Sequence, residues 1–353
     1  MMGTFGPRPP RPTGLTAFDV LSFLKQHTPP GPTQYWRGHA CRYALSLNNL
    51  FAADPKLWHA GASTRKPLRV LCAGDKGAQT ILVKWLLPTA EVVSTSLFEA
   101  GNWSVPGRNG TTATFSLERV LLDEAPWPFA TGSFDVVLIW EVLEHLFHDP
   151  AFAMFEARRV LASNGLLQLT TPNPGSCRTL AALLAGEQTA DFVAINGWGV
   201  AHPHEMGLAY MRRLVEGSGF SVAAHGSWQD DLGPGRCSLK WEDPTCRQLP
   251  QRILAAIDAG PWRGMQRRTR QFLTARASQP LGGQTRFPAN LHYNPSMFPM
   301  DATVGSGGAL PWRGFADSAA WIQEDSNGHG RHRARALTQP RNRTQPSLVT
   351  ASY

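Results

Sequence analysis

No uninterrupted apolar run of about 18 residues or more occurs anywhere in the chain, so nothing in it reads as a membrane-spanning helix. The opening MMGTFGPRPPRP lacks the apolar stretch of a secretory signal. Together these absences predict a soluble, cytoplasmic chain. There is no CxxC pair either. The five cysteines, Cys41, Cys72, Cys177, Cys237 and Cys246, are odd in number and widely spaced, which argues against a zinc site and predicts free, mostly buried thiols rather than a disulfide framework. The GxGxxG turn of nicotinamide-dependent oxidoreductases is missing, and no internal repeat is present. Charge is scarce as well. Only 17% of the 353 residues are charged, against 33 glycines and 28 prolines, so parts of the chain are expected to be loop or disordered.

Lysine is absent from residues 251–353, which hold 13 arginines and five acids and so account for the whole net charge of +8. Residues 1–250 are neutral overall. The stretch GRHRARALTQPRNRTQ has no regular aromatic interleaving and no RNA-binding motif beside it, so a solubilising disordered end is the plainer reading. Contact with RNA, acidic lipid or an acidic protein stays open, because guanidinium pairs well with phosphate.

What is present is a 42% hydrophobic share that can support a core. The composition divides the chain into three. Residues 1–34 form a Pro-rich extension with one amphipathic helix in LTAFDVLSFLKQH, and residues 35–250 form the globular part. Residues 251–353 are an Arg-rich helix followed by a tail. In the middle part RYALSLNNLF reads as a helix, while PLRVLCAG, AEVVST, FDVVLIW and GLLQLTT read as β-rich runs separated by helical stretches. Such alternation predicts an α/β fold, a parallel sheet with helices on both faces.

The run FDVVLIWEVLEHLFHDP, residues 134–150, turns from a strand buried on both faces into a charged stretch. Ligands of open α/β sheets bind at the carboxyl ends of strands, so charge begins where the sheet stops. At 100° per residue a helix through EVLEHLF puts Glu141, Glu144 and His145 on one face and Val142, Leu143, Leu146 and Phe147 on the other. Asp149 is placed as an N-cap with Pro150 at the first helical position of FAMFEARRVL, and Asn164-Gly165 turns the chain into LLQLTT.

Residues 133–173, SFDVVLIWEVLEHLFHDPAFAMFEARRVLASNGLLQLTTPN, resemble the central motif block of class I S-adenosylmethionine-dependent methyltransferases. Within them the EVLEH and TTPN motifs are similar to the branch of the ubiquinone-biosynthesis O-methyltransferase. HPHEMGLAYMRRLVEGSGFSV, residues 202–222, matches that branch too, so the resemblance spans roughly residues 65–225. It implies a Rossmann-like, seven-stranded, mostly parallel sheet, S-adenosyl-L-methionine as cofactor, and a methyl acceptor that is a small molecule or linked to a glycan or lipid. Cofactor contacts carried over are Cys72, Gly74, Gly77, Ser96, Asp123, Glu124, Trp140 and Glu141. Here VLCAGDKGAQT departs from the family's glycine-rich motif, with Cys72 at a common acid position and Lys76 and Ala78 at later glycines, unless Gly77 compensates. Ser96 stands where an acid holds the ribose.

Methyl transfer from a sulfonium is an in-line displacement, for which a protein mainly aligns the nucleophile and excludes water. A base helps when the acceptor is a hydroxyl. His145 is the first candidate for it, with His202 or His204 and Glu205 behind it. A sharper alternative is a divalent metal held by Glu141, Glu144, His145 and His202, which resembles the metal set of plant small-RNA 2′-O-methyltransferases. Residues 171–205 are expected to form a helix and a lid shaping the acceptor pocket, with Phe192, Trp198 and the paired histidines as lining. The competing expectation, drawn from Cys72, Lys76 and Ser96, is a non-catalytic scaffold whose donor cleft Lys76 fills.

Overall fold

The predicted alternation of strands and helices builds one mixed sheet in the computed structural model. It describes residues 14–27, 36, 38–60, 66–75, 77–96, 100–106, 112–187, 202–229, 244–259 and 268–278. Lys76, the lid residues 188–201, Cys237 and the arginine-rich tail lie outside them.

In chain order the helices are α1 Ala17–His27, α2 Ala40–Ala53, α3 Lys56–Ala60, α4 Ala78–Leu86, α5 Pro150–Val160, α6 Cys177–Leu184, α7 Leu208–Gly217 and α8 Gln251–Ala259. The strands are β1 Arg69–Ala73, β2 Glu91–Ser96, β3 Gly101–Pro106, β4 Thr112–Arg119, β5 Phe134–Trp140, β6 Leu161–Pro172, β7 Phe220–Trp228 and β8 Arg270–Ala277. They lie in the order β3-β4-β2-β1-β5-β6-β8-β7. The pairs β1·β2, β2·β4, β1·β5 and β5·β6 are parallel. The pairs β3·β4, β6·β8 and β7·β8 are antiparallel.

The unbroken apolar runs follow from this architecture. Along β5, Val136, Leu138 and Trp140 join one core with α1, α2 and α4, while Phe134, Val137 and Ile139 join a second core with α5 and α7. Val70 and Cys72 of β1 face the first core and Leu71 and Ala73 the second. Alternation is therefore present but invisible in hydropathy, because both faces are covered.

Four expectations are corrected. The sheet has eight strands rather than seven, because β3 folds back on β4 as an antiparallel edge hairpin. The globular part does not end at residue 250: β8 enters the sheet between β6 and β7, pairing with β6 residues about 100 positions earlier in the chain, from Pro172↔Arg270 to Leu166↔Arg276, rather than by local pattern. EVLEHLF is not a helix. Only the single 3-10 turn Leu143–His145 forms, since Glu141 takes a left-handed backbone (φ 55) and Leu146 returns to an extended one. Val142, Leu143 and Leu146 are buried as their apolar pattern requires, whereas Phe147 is exposed. Nor are the cysteines mostly free thiols. Cys177 and Cys246, 69 residues apart in sequence, form a disulfide, Cys41 is also disulfide-bonded, and among the described residues only Cys72 is free. Spacing gave no hint, because the fold alone brings these side chains together.

The Asp149 cap forms as expected, its Oδ1 accepting the Ala151 N–H at 2.9 Å ahead of Pro150. Among the described residues no helix is long and apolar enough to cross a membrane.

Candidate active site

The chain runs outward from β1 to β2 and β4, then crosses to β5 on the other side of β1. That reversal places a crevice at the carboxyl ends of β1 and β5. Five strand ends supply its walls.

At the end of β1, Gly74 (φ 73) and Gly77 (φ 111) both lie in the left-handed region that side chains resist. A Cβ on Gly74 would meet Val142 Cγ2 at 2.7 Å, so glycine is what lets the turn after β5 close onto the turn after β1. Gly77 is the N-cap of α4. Between them Asp75 is buried, and its carboxylate accepts the N–H groups of Gln79 and Thr80 and the Thr80 hydroxyl. Burial raises its pKa against those hydrogen bonds. Cys72 is wholly enclosed in the first core, and burial pushes its thiol up, so its side chain offers nothing to the crevice. The Gly74 N–H donates to Thr95 Oγ1 at 2.9 Å, which ties the loop to β2, whose last residue is Ser96.

Beyond β4, Asp123 Oδ2 accepts the His148 backbone N–H at 2.8 Å. The His148 ring reaches the same carboxylate at 3.5 Å and Glu124 at 3.4 Å. The loop carrying Asp123 is held by a pair that sequence inspection missed. Buried Glu156 of α5 accepts the Trp127 N–H at 2.7 Å and pairs with Arg159, which donates to the carbonyls of Trp127 and Phe129. The signal was the Glu-Arg spacing of three in FEARR. Trp140 points away from the crevice, into the first core, where its Nε1 donates to Gln168 at 3.0 Å.

After β5 the two glutamates part. Glu141 turns to Arg42 of α2 (3.2 Å) and Arg270 of β8 (3.5 Å), neither flagged by sequence. Glu144 turns inward instead. It is 1% exposed, accepts the Thr171 hydroxyl at 3.1 Å, and lies 4.0 Å from His145 Nε2. Burial, and then the charge of Glu141, raise its pKa to about 8, so the carboxyl is protonated at neutral pH. The His145 ring stacks at a tilt on His202, with centroids 4.6 Å apart. Glu205 pairs with His202, not with His204: His202 Nδ1 lies 3.2 Å from its Oε1. His204 instead anchors the segment through its backbone, donating to the Glu144 carbonyl at 3.4 Å. Ligand atoms of Glu144, His145 and His202 converge within 4.8 Å of one another, as do those of Asp123, Glu124 and His148. Glu141 is in neither group.

Left-handed glycines after β1, a hydroxyl at the end of β2 and an acid beyond β4 fit an adenosyl group lying across consecutive strand ends. Gly74, Ser96 and Asp123 would hold it.

A family model described as a methyltransferase domain matches residues 103–169. Among solved structures the chain is similar to a SAM-dependent methyltransferase from Archaeoglobus fulgidus, with 15% identity over 67% of this chain and 94% of that one and a TM-score of 0.38. It is likewise similar to an S-adenosylmethionine-dependent methyltransferase from Mesorhizobium loti, at 16% identity, 64% and 97% coverage and a TM-score of 0.35. A third is a Haloferax volcanii methyltransferase in complex with the Trm112 activator, at 14% identity, 67% and 97% coverage and a TM-score of 0.35. No curated protein matches the chain. The matched family model covers β4, β5 and most of β6 around this crevice, so this stretch of the chain is similar to a methyltransferase domain.

Proposed function

We propose that the domain methylates a hydroxyl group of a small-molecule, glycan or lipid-linked acceptor, with His145 and the His202–Glu205 pair managing the departing proton. The observation that supports this reading is the convergence of two imidazoles and Glu144 beside the ends of β5 and β6. When bound, the donor supplies an electrophilic methyl carbon on sulfur. The protein's part is alignment and proton handling. Glu205 Oε1 lies 3.2 Å from His202 Nδ1 and so orients that ring beside His145. Against it lies His145, partly open to solvent, placed to accept the hydroxyl proton at a ring nitrogen. Glu144, protonated at neutral pH, adds no negative charge and is no competing base.

Calorimetry with S-adenosylmethionine tests the first half. Binding in the micromolar range is expected, and no heat at millimolar donor would return the scaffold reading. For the second half, His145→Gln and His202→Gln should each slow turnover by roughly 10²–10⁴-fold, the usual contribution of a general base, with the donor Kd unchanged. Equal loss of donor affinity would remove the histidines from proton transfer.

One observation favours a second reading. Glu144, His145 and His202 present a carboxylate and two imidazoles to a common point. A hard divalent ion there would hold Glu144 deprotonated and polarise the acceptor oxygen. Magnesium raising the melting temperature in wild type but not in Glu144→Gln would support it. An identical response in both proteins would dismiss it.

A further inference from the structure

Next to the crevice, α6 and α8 stand apart from both main cores. Helix α6 follows the end of β6, with Ser176 as its N-cap, and Cys177 is its only buried residue. Its Leu183 and Leu184 are more than half exposed. Helix α8 likewise buries only Ile257. Between them, in the 3-10 turn Pro244–Gln248, sits Cys246. The contact is a satellite cluster of Cys177, Cys246, Leu249 and Ile257, ringed by partly buried Leu180, Ala181, Ile253 and Leu254. Two helices that each bury one side chain are poorly held by packing, for each fully buried aliphatic group contributes little against the ordering of a whole helix. A covalent tie is the remedy small cores use. Here Cys177 and Cys246 form it.

We infer that the Cys177–Cys246 bridge is a permanent staple made during folding, that it locks α6 and α8 into a cap at the carboxyl edge of the sheet, and that the chain is built for oxidising conditions. The sulfurs belong to residues 0% and 3% exposed, so in the folded protein an attacking thiolate has no line of approach. That separates a staple from a reversible switch, which needs access. Formation is a two-electron step: a small disulfide such as oxidised glutathione takes the two electrons and two protons of the thiols and leaves as two thiols. Cys41, also disulfide-bonded, is buried in α2, so oxidation is not confined to the cap. Such bridges persist where no thiol pool reduces them. The inference does not depend on the identity of the methyl acceptor.

The test uses the full chain, folded with oxidised glutathione or kept in dithiothreitol throughout. Peptide mapping without reduction should recover the 177–246 link from the first, and the link should survive an hour in millimolar dithiothreitol yet disappear once urea is added. Hydrogen exchange on Cys177→Ala/Cys246→Val, which keeps apolar volume, should speed by at least tenfold in 177–184 and 251–259 and stay unchanged in 136–140. Cys177→Ser/Cys246→Ser should show the same pattern. A missing link in the oxidised sample, reduction of the native protein within minutes, or unchanged exchange in both variants overturns the inference. Donor calorimetry on the same samples reports separately on the enzymatic reading.

Discussion

At the scale of single residues, two positions carry most of the site's distinctiveness. Gly74 holds a left-handed turn with Val142 against its α-carbon. Gly74→Ala should cost about 1–2 kcal/mol for the backbone alone and weaken donor binding, with Val142→Ala relieving the clash but not the backbone; thermal melts and donor titration check both. Glu144 is the second. Its carboxyl, ordinarily near 4.5, titrates at about 8 in the folded protein. A raised folded pKa means the native state binds the proton more tightly than the unfolded one. The resulting stability is fully present below about 4.5 and is lost as pH climbs through about 8. Glu144→Gln, neutral at every pH, should therefore gain on wild type in melts between pH 6 and 9 and match it near pH 4. A constant difference across that range would contradict the burial argument. Neither feature was legible. GD in VLCAGDKG gives no backbone angle, and a glutamate four residues past a strand reads as solvated until the fold encloses it.

Among elements, the parts that local chemistry governs behave as their sequence asks. Asp149-Pro150 starts α5 where a cap and a fixed φ belong. Replacing Asp149 with Ala should cost about 1 kcal/mol in denaturant melts, with the slope of the transition unchanged. The same helix carries Glu156, whose bond to the Trp127 N–H positions the loop of Asp123. Glu156→Ala is thus expected to weaken donor binding without touching the histidine pair, and equal affinity for the donor would show that the loop holds itself. EVLEHLF failed as a helix for the opposite reason, contacts far away in sequence. Val142, Leu143 and Leu146 are buried as a helix would bury them, but Phe147 is exposed and Glu141, left-handed at φ 55, turns to two arginines while its N–H pairs with the Thr170 carbonyl at 2.8 Å.

Across the whole molecule, Glu141 binds together parts far apart in sequence: α2 through Arg42 and β8 through Arg270, both on the end of β5. Removing one member of a buried pair is severe, so Glu141→Ala should cost roughly 3–5 kcal/mol, far more than any exposed carboxylate, as chemical denaturation will show. Charge works differently in the tail, where arginines outnumber acids and the sequence alone speaks.

The sequence by itself determined the layers. Strands buried on both faces, caps and turn residues are local signals, written within a few neighbours of each other, and they placed the strand ends where the crevice lies. Only tertiary structure decided what depends on meetings over long chain distances. Those are the pairing that draws β8 into the sheet, the bridge from Cys177 to Cys246, the separation of Glu141 from Glu144, and the choice of His202 over His204 as the partner of Glu205. Burial changes a carboxyl's proton affinity and proximity changes a thiol's fate, and neither quantity exists until the chain has closed on itself.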